Sequence, residues 1–374
     1  MSDKIGVVID TGSQNSKVGF AGESSPRCVF PTAVARFRQQ GILDALPEVY
    51  FGKEAIKRRG ISTLTWPIQN GMICDWDEME KLWHHIFYTE MHVAPENAGA
   101  VIAIHPLTGK SDKERIAEVL FETFLLQDLY LALSPALVLH ASGRTSGVVW
   151  ENGASCSYSI SVFEGFPLRH STVNSVINGN MLREHLQRLF TKVGYSFSTP
   201  LELDILDKIK KEVCYVARDY DIECAQSNSS GENKTSYALP DGQTILIRDE
   251  RYQCPELLFK PHLYGYNCPN IVDNIRLTIS RSELDYKTLF YNNIVLSGGS
   301  SMFKGISGRL LLELMKRGSD SVEMKPNVEA LNFRDIAPWV GGSILANLSS
   351  YQNFWMTRQD YESDGVDRVN YKFF

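Results

Sequence analysis

The sequence predicts an α/β protein in which one strand–turn–strand plan is built twice, and three stretches carry that prediction. In the first, Ile5-Gly6-Val7-Val8-Ile9-Asp10-Thr11-Gly12-Ser13-Gln14-Asn15-Ser16-Lys17-Val18-Gly19-Phe20-Ala21-Gly22, an apolar run ends on an acid, turns through Gly12 and Ser13, and re-enters a strand. In the second, Val148-Val149-Trp150-Glu151-Asn152-Gly153-Ala154-Ser155-Cys156-Ser157-Tyr158, the order returns: apolar strand, acid, one residue, glycine, turn, second strand. In the third, Ile294-Val295-Leu296-Ser297-Gly298-Gly299-Ser300-Ser301-Met302-Phe303, a strand runs into a Gly-Gly turn followed by the helical pattern Leu310, Leu311, Leu314. Two copies of one turn plan suggest a duplicated α/β domain with a ligand between the halves. The plan is common, however, and an ordinary β-hairpin with a surface lysine has the same outline.

Composition narrows the class. The 374 residues suffice for two or more domains with substantial cores, and 43% hydrophobic with 22% charged residues describes a soluble globular chain. A formal charge of −6 and the lack of a basic run argue against a dedicated nucleic-acid binder. The start, Met1-Ser2-Asp3-Lys4, does not read as a signal peptide, and no apolar run approaches the ~20 residues that span a bilayer. Seven cysteines, odd in number and without C-x-x-C spacing, read as buried or free thiols of a reducing compartment.

Chemistry enters at the first turn. Gly12 lets the backbone turn tightly and present N–H groups as an anion nest, while Ser13 and Lys17 add a hydroxyl and a charge. Asp10, at a strand end, is placed to hold the water shell of a divalent metal on a phosphate. Val34 to Gly52 reads as a loop or small excursion. Asp75-x-x-Glu78 then caps an amphipathic helix with Met79, Leu82, Trp83 and Ile86 on one face. Val101 to Ile104 is a short buried strand. Ser111-x-x-Glu114 reads as a second capping box, opening a helix with Ile116, Val119, Leu120 and Phe124 inward. The apolar segment Leu131 to Leu139 leads to Ser142-Gly143-Arg144-Thr145-Ser146-Gly147, which reads as a hinge. Two further stripes, Leu182, Leu186, Leu189, Phe190 and Ile205, Ile209, Val213, Val216, read as core. Asn228 to Ser236 reads as a polar surface loop, and Trp339 to Ala346 precedes a C-terminal helix. In the Gly298-Gly299 turn the backbone can approach a nucleotide closely, with Phe303 available to stack on a base.

Together the segments Gly19-Phe20-Ala21-Gly22, Trp76-Asp77-Glu78-Met79-Glu80-Lys81-Leu82-Trp83-His84-His85, Phe121-Glu122-Thr123-Phe124, Ala141-Ser142-Gly143-Arg144-Thr145, Leu239-Pro240-Asp241-Gly242-Gln243, Ser297-Gly298-Gly299 and Trp339-Val340-Gly341-Gly342-Ser343-Ile344-Leu345-Ala346 are specific. Through them the chain closely resembles actin and the actin-related proteins, end to end. The resemblance implies the actin-like ATPase fold: duplicated ribonuclease-H-like α/β domains, in four subdomains, closed around ATP or ADP with Mg2+ or Ca2+. It implies subdomain 1 over 1–32, 67–141 and 337–374, and subdomain 2 over 33–66. Subdomain 3 covers 142–177 and 267–336, and subdomain 4 covers 178–266. By position, Asp10, Gly12, Ser13, Gln14 and Lys17 match the family's first phosphate loop and Glu151 and Gly153 the second. Asp10 and Glu151 would hold the metal through water. Lys210 lies where a helix meets the adenosine, Gly179 near the ribose and base, and Gly298, Gly299 and Phe303 in the adenine-side loop, Phe303 standing where actin has tyrosine.

The departures from actin gather where the chemistry should be. Actin's second phosphate loop reads Asp-x-Gly-Asp-Gly-x-x-His; here Glu151 is one carbon longer, Ala154 has no oxygen, Ser155 brings in a Cβ, and Tyr158 replaces the histidine that helps position water. Ser134-Pro135 replaces Gln-Ala, removing the other water-aligning group. Gln14 replaces a phosphate-loop glycine, and Lys211 reverses the charge of a glutamate near the ribose. Phosphoryl transfer depends on orientation and electrostatics, and each lost water-positioning group costs on the order of 100-fold in rate. Hydrolysis is therefore expected to be weak or absent, with binding retained through Asp10, Ser13, Lys17 and the Gly298-Gly299 turn. The family's subunit-inserting loop, here 41–52, is shortened and carries Pro47. His140, Gly143, Thr145, Gly165, Phe166, Leu345 and Leu348 match the family's docking groove for partner helices.

Two readings follow. One is a structural actin-related protein, a subunit of a cytoskeletal, ciliary or chromatin-associated assembly that binds other actin-family subunits, with neither nucleic acid nor membrane bound directly. The other is an unconventional actin that polymerises with ATP hydrolysis. A sugar kinase of the same core fold is disfavoured by the actin-specific segments. The absence of long insertions favours a cytoplasmic, cytoskeletal setting over a nuclear one.

Overall fold

The computed structural model describes residues 5–37, 48–230, 234–317 and 325–373. The chain divides into two compact units, the first comprising Met1–Thr145, Glu164–Arg169 and Ile336–Phe374 and the second Ser146–Phe163 and His170–Asp335. The first boundary falls inside the segment Ser142 to Gly147 that reads as a hinge.

Unit 1 is organised on β1 (Ile5–Thr11), which pairs antiparallel with β2 (Asn15–Phe20). β3 (Cys28–Pro31) extends that side, while β4 (Ala98–Ile104) lies parallel to β1 and β5 (Asp128–Leu133) parallel to β4. The two-residue strand Met356–Thr357 closes the β5 edge. Because side chains alternate along a strand, β1 feeds two cores. Val7 and Ile9 join Trp83, Phe87, Leu120 and Phe121 on one face; Val8 joins Val101, Leu137 and Trp339 on the other. The sheet is therefore covered on both sides, and the Trp339 indole is satisfied by donating to the Val8 carbonyl at 3.0 Å.

Asp75 caps the helix Trp76–His84 as expected, accepting from the Glu78 amide at 3.1 Å, and Met79, Leu82, Trp83 and Ile86 are all buried. Ser111 does not cap its helix. That helix, Lys110–Glu118, starts from Gly109 with no side-chain cap, so Ser111 lies within its first turn, although Ile116, Leu120 and Phe124 do face inward. The apolar segment 131–139 changes element midway: β5 ends at Leu133 and the helix Ser134–Ala141 begins, with Pro135 in the first turn, where a missing N–H costs nothing. Trp339 to Ala346 does precede C-terminal helices, Arg358–Asp364 and Arg368–Lys372, and is itself helical, lying inside the helix Ala337–Asn347. The stretch 34–52 holds two short strands, Val34–Phe37 and Val49–Phe51, paired antiparallel; most of the shortened loop, 41–47, lies outside the described residues.

Unit 2 repeats the central motif. β6 (Gly147–Asn152) pairs antiparallel with β7 (Ser157–Phe163) and parallel with β8 (Ile294–Ser297), which in turn pairs with β9 (Val328–Glu329). Against β7 packs the helix Ile271–Ser280, and the contact is polar: Ser159 and Thr278 hydroxyls stand 2.6 Å apart, and Ser282 donates to Ser161 at 2.9 Å. Helix Gly179–Lys192 buries its stripe of Leu182, Leu186, Leu189 and Phe190. The second stripe is only partly helical. Pro200–Glu212 buries Leu206 and Ile209, whereas Val213 and Val216 follow its end. Residues 228–236 are not one loop: the helix Tyr220–Ser230 takes in their start and the strand Thr235–Ala238 their end, with 231–233 outside the described residues. All seven cysteines are free thiols. Among the described residues no helix is long and apolar enough to cross a membrane.

Candidate functional site

In unit 1, the β1–β2 hairpin gathers Asp10, Gly12, Ser13, Gln14 and Lys17. Its turn closes when the Gly12 amide donates to the Asn15 carbonyl at 3.0 Å. Asp10 and Lys17 are cross-strand partners, and the Lys17 ammonium sits 2.8 Å from Asp10 Oδ2. Asp10 is 8% exposed, so the pair is largely shielded from solvent and is worth more than a surface ion pair.

Unit 2 builds the same figure in β6–β7. The Gly153 amide donates to the Cys156 carbonyl at 2.8 Å, and the acid Glu151 again faces its cross-strand partner. That partner is Tyr158, whose hydroxyl donates to Glu151 Oε2 at 2.6 Å. The Tyr158 ring is 1% exposed, held inside unit 2.

Around this second hairpin the other sequence-predicted residues of unit 2 converge. The Gly179 amide donates to the Gly153 carbonyl at 2.9 Å. A Cβ on Gly179 would lie 2.3 Å from Ser300 Oγ and 2.9 Å from the Gly153 carbonyl oxygen, so only glycine allows this approach. Gly298 has φ of +90° and would place a Cβ 2.3 Å from the Asn152 carbonyl oxygen. Lys210 is buried, its ammonium donating to the Gly179 carbonyl at 2.9 Å and to Asp207 at 2.7 Å. Gly299 is exposed with open space above it, whereas the Phe303 ring is buried at 6% exposure.

Several supporting residues escaped the sequence reading. Asn178 caps the helix Gly179–Lys192, accepting from the Asn180 and Met181 amides at 3.1 Å, and donates to the Ser155 carbonyl at 2.9 Å. An asparagine just before a helical stripe is an N-cap signal and could have been found. Asp207 joins Lys210 to Arg183, which donates to it at 3.1 Å. Arg334 donates to the Ser301 carbonyl at 3.0 Å and its own carbonyl accepts from the Gly298 amide at 2.9 Å, fixing the glycine turn from behind. No local pattern announces these long-range partners.

Two hairpins with one hydrogen-bond plan, each ending a buried strand on an acid and each flanked by a parallel strand, indicate an internally duplicated α/β core. The profile of the Actin family matches residues 2–374. The chain belongs to the actin family. Its fold is the actin-like α/β fold, and members of the family bind ATP or ADP with a divalent cation.

The turns fit such a group. A Cβ on Gly12 would stand 3.0 Å from the Asn15 carbonyl oxygen and 3.6 Å from Lys17 Nζ, so glycine keeps the cradle open. Asp10, Ser13 and Glu151 offer the oxygen donors that hard cations prefer. When bound, the nucleotide supplies the phosphate oxygens that carry the cation. Of the residues expected near the adenosine, Lys210 donates to Asp207 and to the Gly179 carbonyl, and Phe303 is packed into unit 2. The residues that the resemblance assigns to a docking groove lie in unit 1: His140 packs edge-on to Tyr351 with ring centroids 5.9 Å apart, and the Gly165 amide donates to the Thr145 carbonyl at 2.7 Å. Phe166 and Leu348 are exposed, while Leu345 is buried and belongs to the core behind them.

Proposed function

We propose that this chain is a divergent actin-family protein that holds an adenine nucleotide, hydrolyses it weakly or not at all, and serves as a structural subunit of a cytoskeletal or other multiprotein assembly. The observation that carries this reading is the second hairpin. Its only retained acid, Glu151, already accepts a hydrogen bond from the hydroxyl of Tyr158, which stands where the family has a water-positioning histidine. A neutral phenol is a far weaker base for water than an imidazole, and Ala154 in the same turn has no side-chain oxygen to add. Ser134, in place of the second water-aligning group, sits 8% exposed in the first turn of its helix, and its side chain is too short to replace a glutamine. The first hairpin, by contrast, keeps the Asp10–Lys17 pair suited to phosphate and cation.

On this reading Asp10, Gly12, Ser13, Gln14 and Lys17 in unit 1, and Glu151, Gly153, Gly179, Lys210, Gly298, Gly299 and Phe303 in unit 2, are the nucleotide-binding residues. Phe166 and Leu348 support docking of partner helices of the kind other actin-family members bind, and the setting is the cytoskeleton. Sedimentation of the purified chain in polymerising salt, with phosphate release followed in parallel, tests the reading. Nucleotide in the denatured protein, with phosphate release near background, is expected. Pelleting with a stoichiometric burst of phosphate would overturn it in favour of an unconventional, hydrolysing actin.

A further inference from the structure

Two departures from the actin pattern, Glu151 and Tyr158, touch each other. They are directly opposed across β6 and β7, seven residues apart, as are Asp10 and Lys17 across β1 and β2. We propose that Tyr158 is a positioning residue for Glu151, fixing its carboxylate so that this acid can retain the divalent cation of a bound nucleotide through water. The inference rests on the reading of the hairpins as phosphate turns and adds a role that the reading does not require.

The physical case has three parts. First, a glutamate carries one more rotatable bond than an aspartate, so an unrestrained Glu151 would spread its charge over several rotamers and lose side-chain entropy on holding a cation. The bond to Tyr158, at 2.6 Å, lies in the short range of a hydroxyl donating to a charged oxygen and selects one of those rotamers. Second, the donor itself cannot drift. Its ring is 1% exposed, and its strand is pinned by the hydroxyl contacts of Ser159 with Thr278 at 2.6 Å and of Ser282 with Ser161 at 2.9 Å. Third, Tyr158 brings no charge. Lys17 cancels part of the field of Asp10 by pairing with it, whereas the Tyr158 hydroxyl orients Glu151 without adding a positive charge. The longer acid and the tyrosine are therefore one device, in which the extra methylene brings the carboxylate within reach of the phenol. Carboxylates that hold metals are commonly oriented by such a second hydrogen bond, and its loss costs about 10–100-fold in affinity.

The test uses the full chain loaded with ATP, with Ca2+ as the probe and its affinity read by competition with a fluorescent calcium chelator. Tyr158→Phe should weaken Ca2+ binding about 10-fold or more, while its effect on a Glu151→Gln background should be small, because the two share one interaction. Glu151→Asp separates this idea from simple charge. It keeps the acid but withdraws it from the phenol, so Ca2+ binding should weaken although the charge is unchanged, and the substitution is mild enough to leave folding intact if Tyr158→Phe is not. Unchanged or tighter Ca2+ binding in Glu151→Asp, or additive losses in the double variant, would overturn the proposal. Wild-type protein that binds neither a fluorescent ATP analogue nor Ca2+ would overturn it too, and with it the phosphate-turn reading; wild-type binding that ignores Tyr158 would remove the inference alone.

Discussion

The hairpin of β1 and β2 and the hairpin of β6 and β7 share a backbone plan and differ in the group set against the acid. In both, a glycine amide closes the turn onto a carbonyl three residues on, at 3.0 Å in the first and 2.8 Å in the second. In both, the acid is bonded to the residue seven further along. In unit 1 that residue is a lysine, a mobile cation able to turn from Asp10 to a phosphate; in unit 2 it is a buried tyrosine, a neutral donor with a single direction. The difference teaches that a duplicated frame can keep its geometry while its two copies part in chemistry: one copy sets a charged partner against its acid, and the other a buried neutral one.

The largest expected effect comes from erasing that difference. Grafting the family's second turn, with Glu151→Asp, Ala154→Asp, Ser155→Gly and Tyr158→His together, should raise phosphate release on the order of 100-fold above wild type. An unchanged rate would show that the second hairpin is not what limits hydrolysis. Next, Lys17→Met should weaken ATP binding in excess chelator by about 10–100-fold, the worth of one charge-assisted contact of ~1.5–3 kcal/mol. Under the same metal-free conditions Tyr158→Phe should leave ATP binding nearly unchanged. Equal losses in the two variants, read by fluorescence titration, would break the contrast between a charged and a neutral partner.

A stability comparison follows within unit 2. Gly298→Ala forces a positive φ on a residue with a Cβ and drives that atom to 2.3 Å from the Asn152 carbonyl oxygen, so a loss of about 2–4 kcal/mol is expected in denaturant melts. Gly299→Ala meets open space and should cost far less. The smallest effect concerns pH. Burial holds His185 in unit 2 down at about 4, and burial does the same to His105 in unit 1. A histidine lowered when folded favours the unfolded chain once the latter protonates, so this stability is present above pH 6.5 and is lost as pH falls towards 4. The loss is at most ~1.4 kcal/mol per pH unit for each group. Denaturation midpoints at pH 7 and pH 5 should therefore differ less in His185→Gln than in wild type, and an equal difference would discount His185.

Much of the frame was legible because strand signals are local. Val7-Val8-Ile9 and Val148-Val149-Trp150 are apolar runs that end on acids before a glycine, and both became central strands. Asp75 announced its helix because a cap and its target lie three residues apart. Ser111 misled for the same reason. The capping pattern was present, but the helix starts at Lys110, within reach of the turn that follows β4, and no serine bond is made. The sequence placed Trp339 to Ala346 only as a segment before a C-terminal helix, although it is helical itself. Tertiary packing accounts for its glycine: a Cβ on Gly341 would lie 1.8 Å from the Leu137 carbonyl oxygen, so glycine there serves contact between two helices and does not interrupt one.

By itself the sequence determined the family and the duplicated plan, since each is a matter of which residue stands at which position. It placed Glu151 and Tyr158 only as two separate departures from the actin pattern. That they bond to each other was decided by the register of β6 on β7, which opposes them across the strands, and by the burial that holds the phenol in place. The same holds for Lys210, Asp207 and Arg183, which helix packing joins into one buried network. Residue identity is written locally, whereas the direction in which a side chain spends its proton depends on neighbours that only the folded chain supplies.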